Sequence, residues 1–132
     1  MSKNQTILIV DDDPDVVRGI KLRFDAAGYE TIVADSAAAG IMQARASSPD
    51  AIVMDVRLKE GNGMEAVEEL KQDQNTKGIP IVMLSACVGM QQQALDLGAR
   101  FFLRKPFKGR EVITAVESAI NESNKHLLSM KK

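Results

Sequence analysis

Residues 7–14 of the chain read Ile-Leu-Ile-Val-Asp-Asp-Asp-Pro, and this stretch carries the strongest signal for the fold. Four apolar residues, three of them β-branched, stop at three consecutive aspartates. An apolar run without alternation is typical of a parallel strand that is buried on both faces. Pro14 suits the first position of a helix, and Asp13 before it is a good N-cap. The stretch therefore predicts a buried strand that leads directly into a helix, with acidic side chains at the junction.

The same pairing of a short apolar run with a helical pattern recurs along the rest of the chain. The further apolar runs are residues 31–34, 51–54, 81–84 and 101–103. Apolar residues at spacings of three and four indicate helices near residues 14–27, 36–44, 64–70, 90–97 and 112–126. Five strands that alternate with five helices, joined by right-handed crossovers, predict a doubly wound (βα)5 α/β fold with a five-stranded parallel sheet. In such a sheet the functional crevice lies at the carboxyl ends of the strands.

Composition places the chain among ordinary globular domains. Its 132 residues, 45% apolar and 27% charged, suffice for one buried core. A formal net charge of -1 gives no broad field for nucleic acid or an anionic membrane, so we expect neither as a partner. The sequence shows no export signal and no apolar run of membrane-spanning length, and its single cysteine, Cys87, cannot form an internal disulfide. We therefore expect a cytoplasmic protein.

The sequence predicts two parts of the chain, a domain and a short C-terminal segment. Residues 1–121 are expected to form the domain, because all five strand and helix patterns end by residue 121 or soon after. Residues 122–132 are polar apart from Leu127, Leu128 and Met130. This last segment is predicted to be a C-terminal extension of the final helix or a flexible tail.

Polar side chains that could bind ligands or take part in a reaction lie where four of the five predicted strands end. Asp11 and Asp12 follow the first strand, Asp55 the third, Ser85 the fourth and Lys105 closely follows the fifth. If the first and third strands are neighbours, three carboxylates converge at one edge of the sheet. Such carboxylates would repel one another unless a cation joined them. Oxygen ligands at a partly open site suit Mg²⁺, so we predict Mg²⁺ as the cofactor.

This set of side chains is chemically sufficient to accept a phosphoryl group. With Mg²⁺ and the Lys105 ammonium, the formal charges of the three carboxylates are balanced. Carboxylates are known nucleophiles toward phosphoryl groups, and catalysis of the transfer rests mainly on positioning and charge neutralisation. The Ser85 hydroxyl can hold a phosphate oxygen. The pattern therefore predicts a phosphoacceptor carboxylate beside a metal site.

Four short motifs at these strand ends resemble the receiver domain of bacterial two-component response regulators, of the chemotaxis-regulator-like kind. They are VDDDP at residues 10–14, MDVRL at 54–58 with GNG at 61–63, LSA at 84–86 and RKPF at 104–107. The resemblance covers roughly residues 5–121, and the four motifs together, in order, are far more specific than any one alone. It implies a flavodoxin-like sheet with strand order 2-1-3-4-5.

The resemblance also implies a role for each residue of the acidic site. Asp55 would be the phosphoacceptor and a metal ligand. Asp12 would bind Mg²⁺ directly, Asp11 mainly through water, and the backbone carbonyl of Arg57 would be another ligand. Lys105, together with Ser85, would bind the phosphoryl oxygens.

A switch and a set of partners follow from the same resemblance. Ser85 and Phe102 match the switch pair of the family, in which the hydroxyl moves toward the phosphate and the ring rotates inward. This changes the surface of helix four, strand five and helix five.

The implied partners are a histidine kinase or histidine phosphotransfer protein, a downstream protein target and a phosphorylation-dependent second copy of the chain. The resemblance implies a regulatory phosphoacceptor whose only catalysis is its own phosphotransfer and autodephosphorylation. The peptide between Lys105 and Pro106 resembles one that is cis in the family.

The chain departs from the family pattern at a few positions. Lys59 stands where proline is common, which affects the shape of the loop. Ser85 replaces the more frequent threonine and keeps the hydroxyl, whereas Phe102 lacks the hydroxyl of the frequent tyrosine. Arg57 and Cys87 occupy positions whose side chains control water access to the phosphoaspartate in this family.

An aspartate-nucleophile phosphatase of the haloacid-dehalogenase-like kind is the main enzymatic alternative. Its opening motif resembles residues 11–13, with Asp11 as nucleophile and Asp13 as general acid. Ser85 and Lys105 would fit that pattern too. Such enzymes need a further acidic pair after the lysine and a substrate-selecting cap, for which the chain offers poor candidates. The identity of the phosphorylated aspartate, Asp11 or Asp55, separates the two hypotheses.

Three non-enzymatic alternatives are weaker. The alternation of Asp11, Asp13 and Asp15 is reminiscent of a calcium loop, but Val16 and Leu22 stand where glycine and glutamate are needed. A flavin or nucleotide module fits the fold class but lacks a glycine-rich phosphate loop after the first strand. A pseudo-receiver that is never phosphorylated would normally lack one of the pocket residues, and none is missing.

Overall fold

The computed structural model describes residues 4–87 and 89–130, the last five of them as backbone only. Within these ranges the strands are β1 Thr6–Val10, β2 Glu30–Ala34, β3 Ala51–Asp55, β4 Ile81–Ser85 and β5 Phe101–Arg104. The helices are α1 Pro14–Ala26, α2 Ala37–Ser47, α3 Gly63–Gln72, α4 Gln91–Leu97 and α5 Gly109–Met130. Helix α5 continues past residue 121 without a break, so the division of the chain at that residue stays a prediction.

The five strands form one parallel sheet in the order β2-β1-β3-β4-β5, which confirms the predicted fold. Strand β1 lies between β2 and β3, and Val10 pairs in register with Met54. The residues that follow this pair, Asp11 and Asp55, are therefore level with each other at the carboxyl edge. On the other side of β3, Asp55 is in register with Leu84 of β4.

Both faces of the sheet are covered, because alternate side chains of each strand point to opposite sides. Leu8 and Met54 belong to the cluster that packs against α2, α3 and α4, whereas Ile9 and Val53 belong to the cluster that packs against α1 and α5. These four side chains are fully buried. Burial of a side chain of this size contributes about 1.5–3 kcal/mol, which explains why the central strands consist of continuous apolar runs.

Side-chain caps fix where three helices begin. Asp13 accepts a hydrogen bond from Asp15 N at α1, as expected. Ser36 caps α2 in the same way, and Asn62 caps α3. Helix α1 ends at Ala26, slightly earlier than the apolar pattern suggested. No helix of the described residues is both long and apolar enough to cross a bilayer.

Candidate functional site

The carboxyl edge of the sheet brings the three predicted acidic residues together. One carboxylate oxygen each of Asp11, Asp12 and Asp55 lies within 4.8 Å of the others. Asp11 and Asp55 are only 1% and 5% exposed, and Asp12 is half-buried. The arrangement follows from the adjacency of β1 and β3, which places the end of one strand beside the end of the other. The predicted convergence of these residues is therefore observed in the geometry.

Lys105 places a positive charge among these carboxylates. Its Nζ lies 2.8 Å from Oδ2 of Asp55 and 3.5 Å from Oδ2 of Asp11. The lysine is held at the strand end because its backbone N–H donates to Ser85 O at 2.8 Å. Burial lowers the pKa of Lys105, but the hydrogen bond to Asp55 and the two nearby negative charges outweigh it, so the pKa lies above its ordinary value. The group is thus a fixed cation. The Lys105–Pro106 peptide is cis, as the sequence resemblance implied.

Asp11 carries an incompletely satisfied buried charge. Its Oδ1 accepts from Asp13 N at 2.9 Å. Its Oδ2 is buried and accepts no hydrogen bond from the described residues, and Lys105 reaches it only as an ion pair. Burial, opposed by the Asp13 hydrogen bond and reinforced by the charge of Asp55, raises the pKa of Asp11 to about 6.

The acidic cluster fits a hard divalent cation. A buried carboxylate oxygen without a hydrogen bond is costly unless a cation neutralises it. Three carboxylates close together on a partly open edge offer the oxygen ligands that Mg²⁺ prefers, with room for bound water. The cluster formed by Asp11, Asp12 and Asp55 can therefore hold a metal ion.

Asp55 is enclosed by the loop that connects β3 to α3. Its Oδ1 accepts from Arg57 N at 3.2 Å. Gly63 begins α3 so close to the strand that a Cβ atom there would lie 2.0 Å from Asp55 O, and its N–H donates to Val56 O at 2.8 Å. The GNG motif was singled out by resemblance alone, and this close approach is its physical reason. The Arg57 backbone also forms an antiparallel bridge with Asn62, which closes the loop.

The predicted switch residues lie on two neighbouring strands. Ser85 is 1% exposed, and its Oγ accepts from Cys87 N at 2.9 Å. Its hydroxyl donates no hydrogen bond to the residues that the structure describes, so its hydrogen can serve a further acceptor. Phe102 lies on the edge strand β5, in register with Met83. Its ring is half-buried and packs against the cluster under α2, α3 and α4. Helix α4 is short: Ala94 is its buried residue, and Leu97 packs half-buried against the same cluster as Phe102.

One other residue raised by the sequence lies outside the site. The Asp13 side chain caps α1 and is exposed, which does not place it as a general acid beside Asp11.

An apolar groove next to the site was not predicted from the sequence. It has a volume of about 600 Å³ and runs between α1 and the turn that follows β5. Val16, Gly19 and Ile20 line it from α1, and Lys105 and Phe107 from the other side. Among the described residues no atom lies within 4 Å of a Cβ built on Gly19, so their packing does not require a glycine at this helical position. Lys105, which lines the groove, is also the residue that contacts Asp11 and Asp55 of the acidic cluster.

Comparison with known proteins gives a consistent result. The family described as "Response regulator receiver domain" matches residues 7–117. The alkaline phosphatase synthesis transcriptional regulatory protein PhoP of Bacillus subtilis is 33% identical over 122 residues, which cover 91% of this chain and 50% of that protein. The chain spans about half the length of the curated relatives it matches first.

Similar solved structures are also receiver domains or response regulators, and this chain covers nearly the whole of each matched chain. A response regulator from Chloroflexus aurantiacus is 32% identical with a TM-score of 0.85, covering 90% of this chain and 99% of that chain. The receiver domain of a sensor histidine kinase from Pseudomonas aeruginosa is 29% identical with a TM-score of 0.82, again covering 90% and 99%. That receiver domain was solved with a magnesium ion coordinated in its active site cleft.

Proposed function

The chain belongs to the response regulator receiver domain family of two-component systems, and on this premise we propose that it is a switch driven by phosphorylation of Asp55. In this proposal Asp55 accepts a phosphoryl group from a phosphohistidine donor, with Mg²⁺ bound beside it. The new charge changes the surface formed by α4, β5 and α5, and this surface controls binding of a partner.

One observation carries the proposal: Lys105 lies between Asp55 and Asp11, at 2.8 Å and 3.5 Å from their carboxylates. Asp12 adds a third carboxylate to the same cluster. The carboxylates outnumber the one ammonium group, so the metal-free pocket is negative and would repel a phosphoryl dianion. A divalent cation balances that charge, which gives the incoming group two sources of positive charge on one side of Asp55.

The acidic cluster supplies the ligands for Mg²⁺. We assign Asp12 as the direct ligand, Asp11 as a ligand acting mainly through water, and Asp55 with the Arg57 carbonyl as the remaining protein ligands. The orphaned buried oxygen of Asp11 supports this assignment, because a cation or its bound water would satisfy it. When bound, Mg²⁺ would neutralise phosphoryl oxygens during transfer.

The transfer step needs little beyond positioning. An oxygen of the Asp55 carboxylate forms a bond to phosphorus while the N–P bond of the phosphohistidine breaks. The imidazole leaves with the electron pair of that bond and takes a proton. Lys105 already contacts Asp55 and remains beside the phosphoryl oxygens as a fixed charge, so no general base is required.

The signal is proposed to leave the site through Ser85 and Phe102. Ser85 is buried at the end of β4, and its Oγ accepts from Cys87 N, so its hydroxyl can donate to a phosphoryl oxygen on Asp55. Movement of Ser85 opens space along the face of the sheet on which the half-buried ring of Phe102 packs. Inward rotation of that ring would change the surface beside α4, a short helix whose buried residue is Ala94.

The donor is proposed to approach through the apolar groove between α1 and the β5–α5 turn. Receiver domains of this family pair with kinases and with downstream effector domains. Lys105 lines the groove and also contacts Asp55, so a donor seated in the groove would bring its phosphohistidine near Asp55. We propose that a histidine kinase or histidine phosphotransfer protein docks there, with Gly19 leaving room for its side chain.

The remaining assignments follow from the same premise. We propose a regulatory protein and not an enzyme by main function, located in the cytoplasm, whose domain spans residues 1–121. Its target is a protein, and a phosphorylation-dependent homodimer through the α4, β5 and α5 surface is included in the proposal. We propose that this domain does not itself contact nucleic acid, which agrees with its net charge of -1.

The proposal is tested by measuring intact mass after incubation with acetyl phosphate or phosphoramidate, with and without Mg²⁺. We expect a gain of one phosphoryl group that depends on Mg²⁺ and is absent in Asp55→Asn. If no gain occurs, binding of beryllofluoride distinguishes rapid hydrolysis, in which the analogue binds, from a pseudo-receiver, in which it does not.

Asp11→Asn serves as the matched control, because Asp11 is the acceptor in the phosphatase alternative. Peptide mapping of the phosphorylated protein should place the group on Asp55. A mass gain that persists in Asp55→Asn and disappears in Asp11→Asn would overturn the proposal in favour of that alternative.

A further inference from the structure

The loop between β3 and α3 sends one backbone donor into the acidic cluster. The main-chain N–H of Lys59 donates to Oδ2 of Asp12. Proline, which is common at this position in the receiver domain family, has no N–H and cannot make this bond. We propose that the Lys59 N–H is a positioning group that holds the Asp12 carboxylate in the orientation for Mg²⁺, and so strengthens metal binding. This inference rests on the proposed Mg²⁺ site.

The orientation of the Asp12 carboxylate depends mainly on this one hydrogen bond, whereas Asp55 and Asp11 are held by other contacts. Asp55 is held by both Lys105 and the Arg57 N–H, and Asp11 by the Asp13 N–H within a buried setting. Asp12 is half-buried, and Lys59 provides the sole hydrogen bond to its carboxylate from residues 4–87 and 89–130. Without it the side chain would be free to occupy several rotamers at the solvent edge, at an entropic cost to any ligand that needs one of them.

The donor itself is held rigidly, so it can position Asp12 before the metal arrives. The next residue, Glu60, accepts from Ala37 N at 3.1 Å through its carbonyl, which ties the loop to the start of α2. Gly61 has φ +95°, and a Cβ there would lie 2.5 Å from the Ala37 side chain, so the loop packs tightly on α2. The loop is therefore anchored on α2 immediately after the Lys59 N–H.

The geometry leaves the other oxygen of Asp12 available to a cation. Oδ2 accepts the amide proton, and Oδ1 accepts nothing from the described residues. Hydrogen bonds to ligating carboxylates fix their orientation, and their loss typically weakens metal affinity 10- to 100-fold. The amide is neutral, so it orients the carboxylate without adding a charge that would compete with the metal.

The test compares Lys59→Pro with Lys59→Ala in the otherwise unchanged chain. Both variants lose the ammonium group, but only proline removes the N–H. Mg²⁺ titrations followed by ¹⁵N-resolved NMR give the dissociation constant, and urea unfolding without Mg²⁺ gives the stability of each variant. We expect Lys59→Ala to bind Mg²⁺ within about 2-fold of wild type and Lys59→Pro to bind about 10-fold more weakly or worse.

Several results would overturn the inference. Equal or tighter Mg²⁺ binding by Lys59→Pro would show that the N–H does not help, and equal weakening in both variants would assign the effect to the ammonium group. If wild type binds no Mg²⁺, the metal part of the proposed function fails with it, whereas normal wild-type binding with no effect of proline overturns this inference alone.

A second measurement does not depend on how well Lys59→Pro folds. In the wild-type protein the Lys59 amide proton should exchange slowly, and Asp12→Ala should accelerate its exchange at least 10-fold while leaving the Ala37 amide unchanged. A Lys59 amide that exchanges equally fast in the two proteins would mean that the bond to Asp12 is not populated in solution, and would overturn the inference.

Discussion

A Cβ atom on Gly63 would lie 2.0 Å from the backbone oxygen of Asp55, closer than any real contact permits. The glycine allows α3 to begin directly against the end of β3, and its N–H donates to Val56 O in the same turn. The loop is thereby folded over the acidic cluster. The requirement comes from this close approach, since φ at Gly63 lies outside the left-handed range.

We predict that Gly63→Ala destabilises the protein by about 1–3 kcal/mol, the usual cost of forcing an extra methyl group into a packed site. The backbone of Asp55 would have to move, so Mg²⁺ binding should weaken as well. Urea unfolding measures the first effect. Gly78→Ala is the matched control, because no atom lies within 4 Å of a Cβ at Gly78. Equal stabilities of the two variants would contradict the prediction.

Stability of the metal-free protein should depend on pH through Asp11. Its pKa is about 6 in the folded protein against 3.8 for the unperturbed group. Between these values the folded protein binds more protons at Asp11 than the unfolded chain does, so the contribution of this group to stability is fully present below pH 3.8 and is lost as the pH rises through 6. The full loss from this group is about 3 kcal/mol.

The measurement is urea unfolding of wild type and Asp11→Asn from pH 4 to pH 7 without Mg²⁺. Other groups titrate in both proteins, so the informative quantity is the difference between the two free energies of unfolding. We expect wild type to lose stability relative to Asp11→Asn as the pH rises across this range. Parallel curves would show that Asp11 does not titrate there.

Binding of Mg²⁺ should show the complementary pH dependence. A metal ligand must be deprotonated, and the pKa of Asp11 is raised to about 6, so protons compete with the cation below that pH. We predict that the apparent dissociation constant is nearly constant above pH 7 and rises as the pH falls through 6. Calorimetric titration at several pH values checks this, and Asp11→Asn should show a weaker but flatter profile.

Much of the fold was predictable, because burial on both sides of a central sheet leaves a direct mark on the sequence. The runs at residues 7–10, 51–54 and 81–84 coincide with β1, β3 and β4 within a residue or so, since strands buried on both faces consist almost entirely of apolar residues. The continuation of α5 to Met130 was one of two alternatives expected for residues 122–132, and the sequence did not choose between helix and tail because this polar segment carries little periodic signal.

The candidate site was predictable to the extent that side chains build it. Asp11, Asp55 and Lys105 could be placed together because parallel strands end at one edge of the sheet. The hydrogen bond from Lys59 N–H could not be predicted, since every residue except proline has the same backbone donor. The groove beside Gly19 also left no signal, because it depends on how α1 and the β5–α5 turn are placed in three dimensions.

Removing the Lys105 ammonium group should affect phosphotransfer and Mg²⁺ binding differently. Lys105→Ala leaves the carboxylates of Asp55 and Asp11 without their ammonium partner, so the pocket becomes more negative. We predict Mg²⁺ affinity that is unchanged or raised up to about 10-fold, because a like charge near the metal is removed. Phosphorylation by a small phosphodonor should nevertheless fall by at least about 10-fold, since a fixed charge is lost from the transferred group. A loss of both properties together would indicate that Lys105 acts by keeping the site folded.

The groove between α1 and the β5–α5 turn gives a prediction that distinguishes protein donors from small ones. Gly19 is exposed, and a side chain there meets no atom within 4 Å of its Cβ position, so substitution leaves the fold intact. Alanine in place of a helical glycine should stabilise the protein by about 0.5–1 kcal/mol. Gly19→Leu should fill the groove and slow phosphotransfer from a phosphorylated histidine phosphotransfer protein by at least about 10-fold, a loss of about 1.4 kcal/mol in the transition state.

The matched control is the reaction of the same variant with acetyl phosphate, which is too small to need the groove and should proceed at the wild-type rate. Arg18→Leu adds a leucine on the same helix at a residue that does not line the groove, and should leave both reactions unchanged. Equal rates of Gly19→Leu and wild type with the protein donor would exclude the groove as the docking surface. A parallel loss with acetyl phosphate would mean that the leucine disturbs Lys105 and the acidic cluster, because Lys105 lines both.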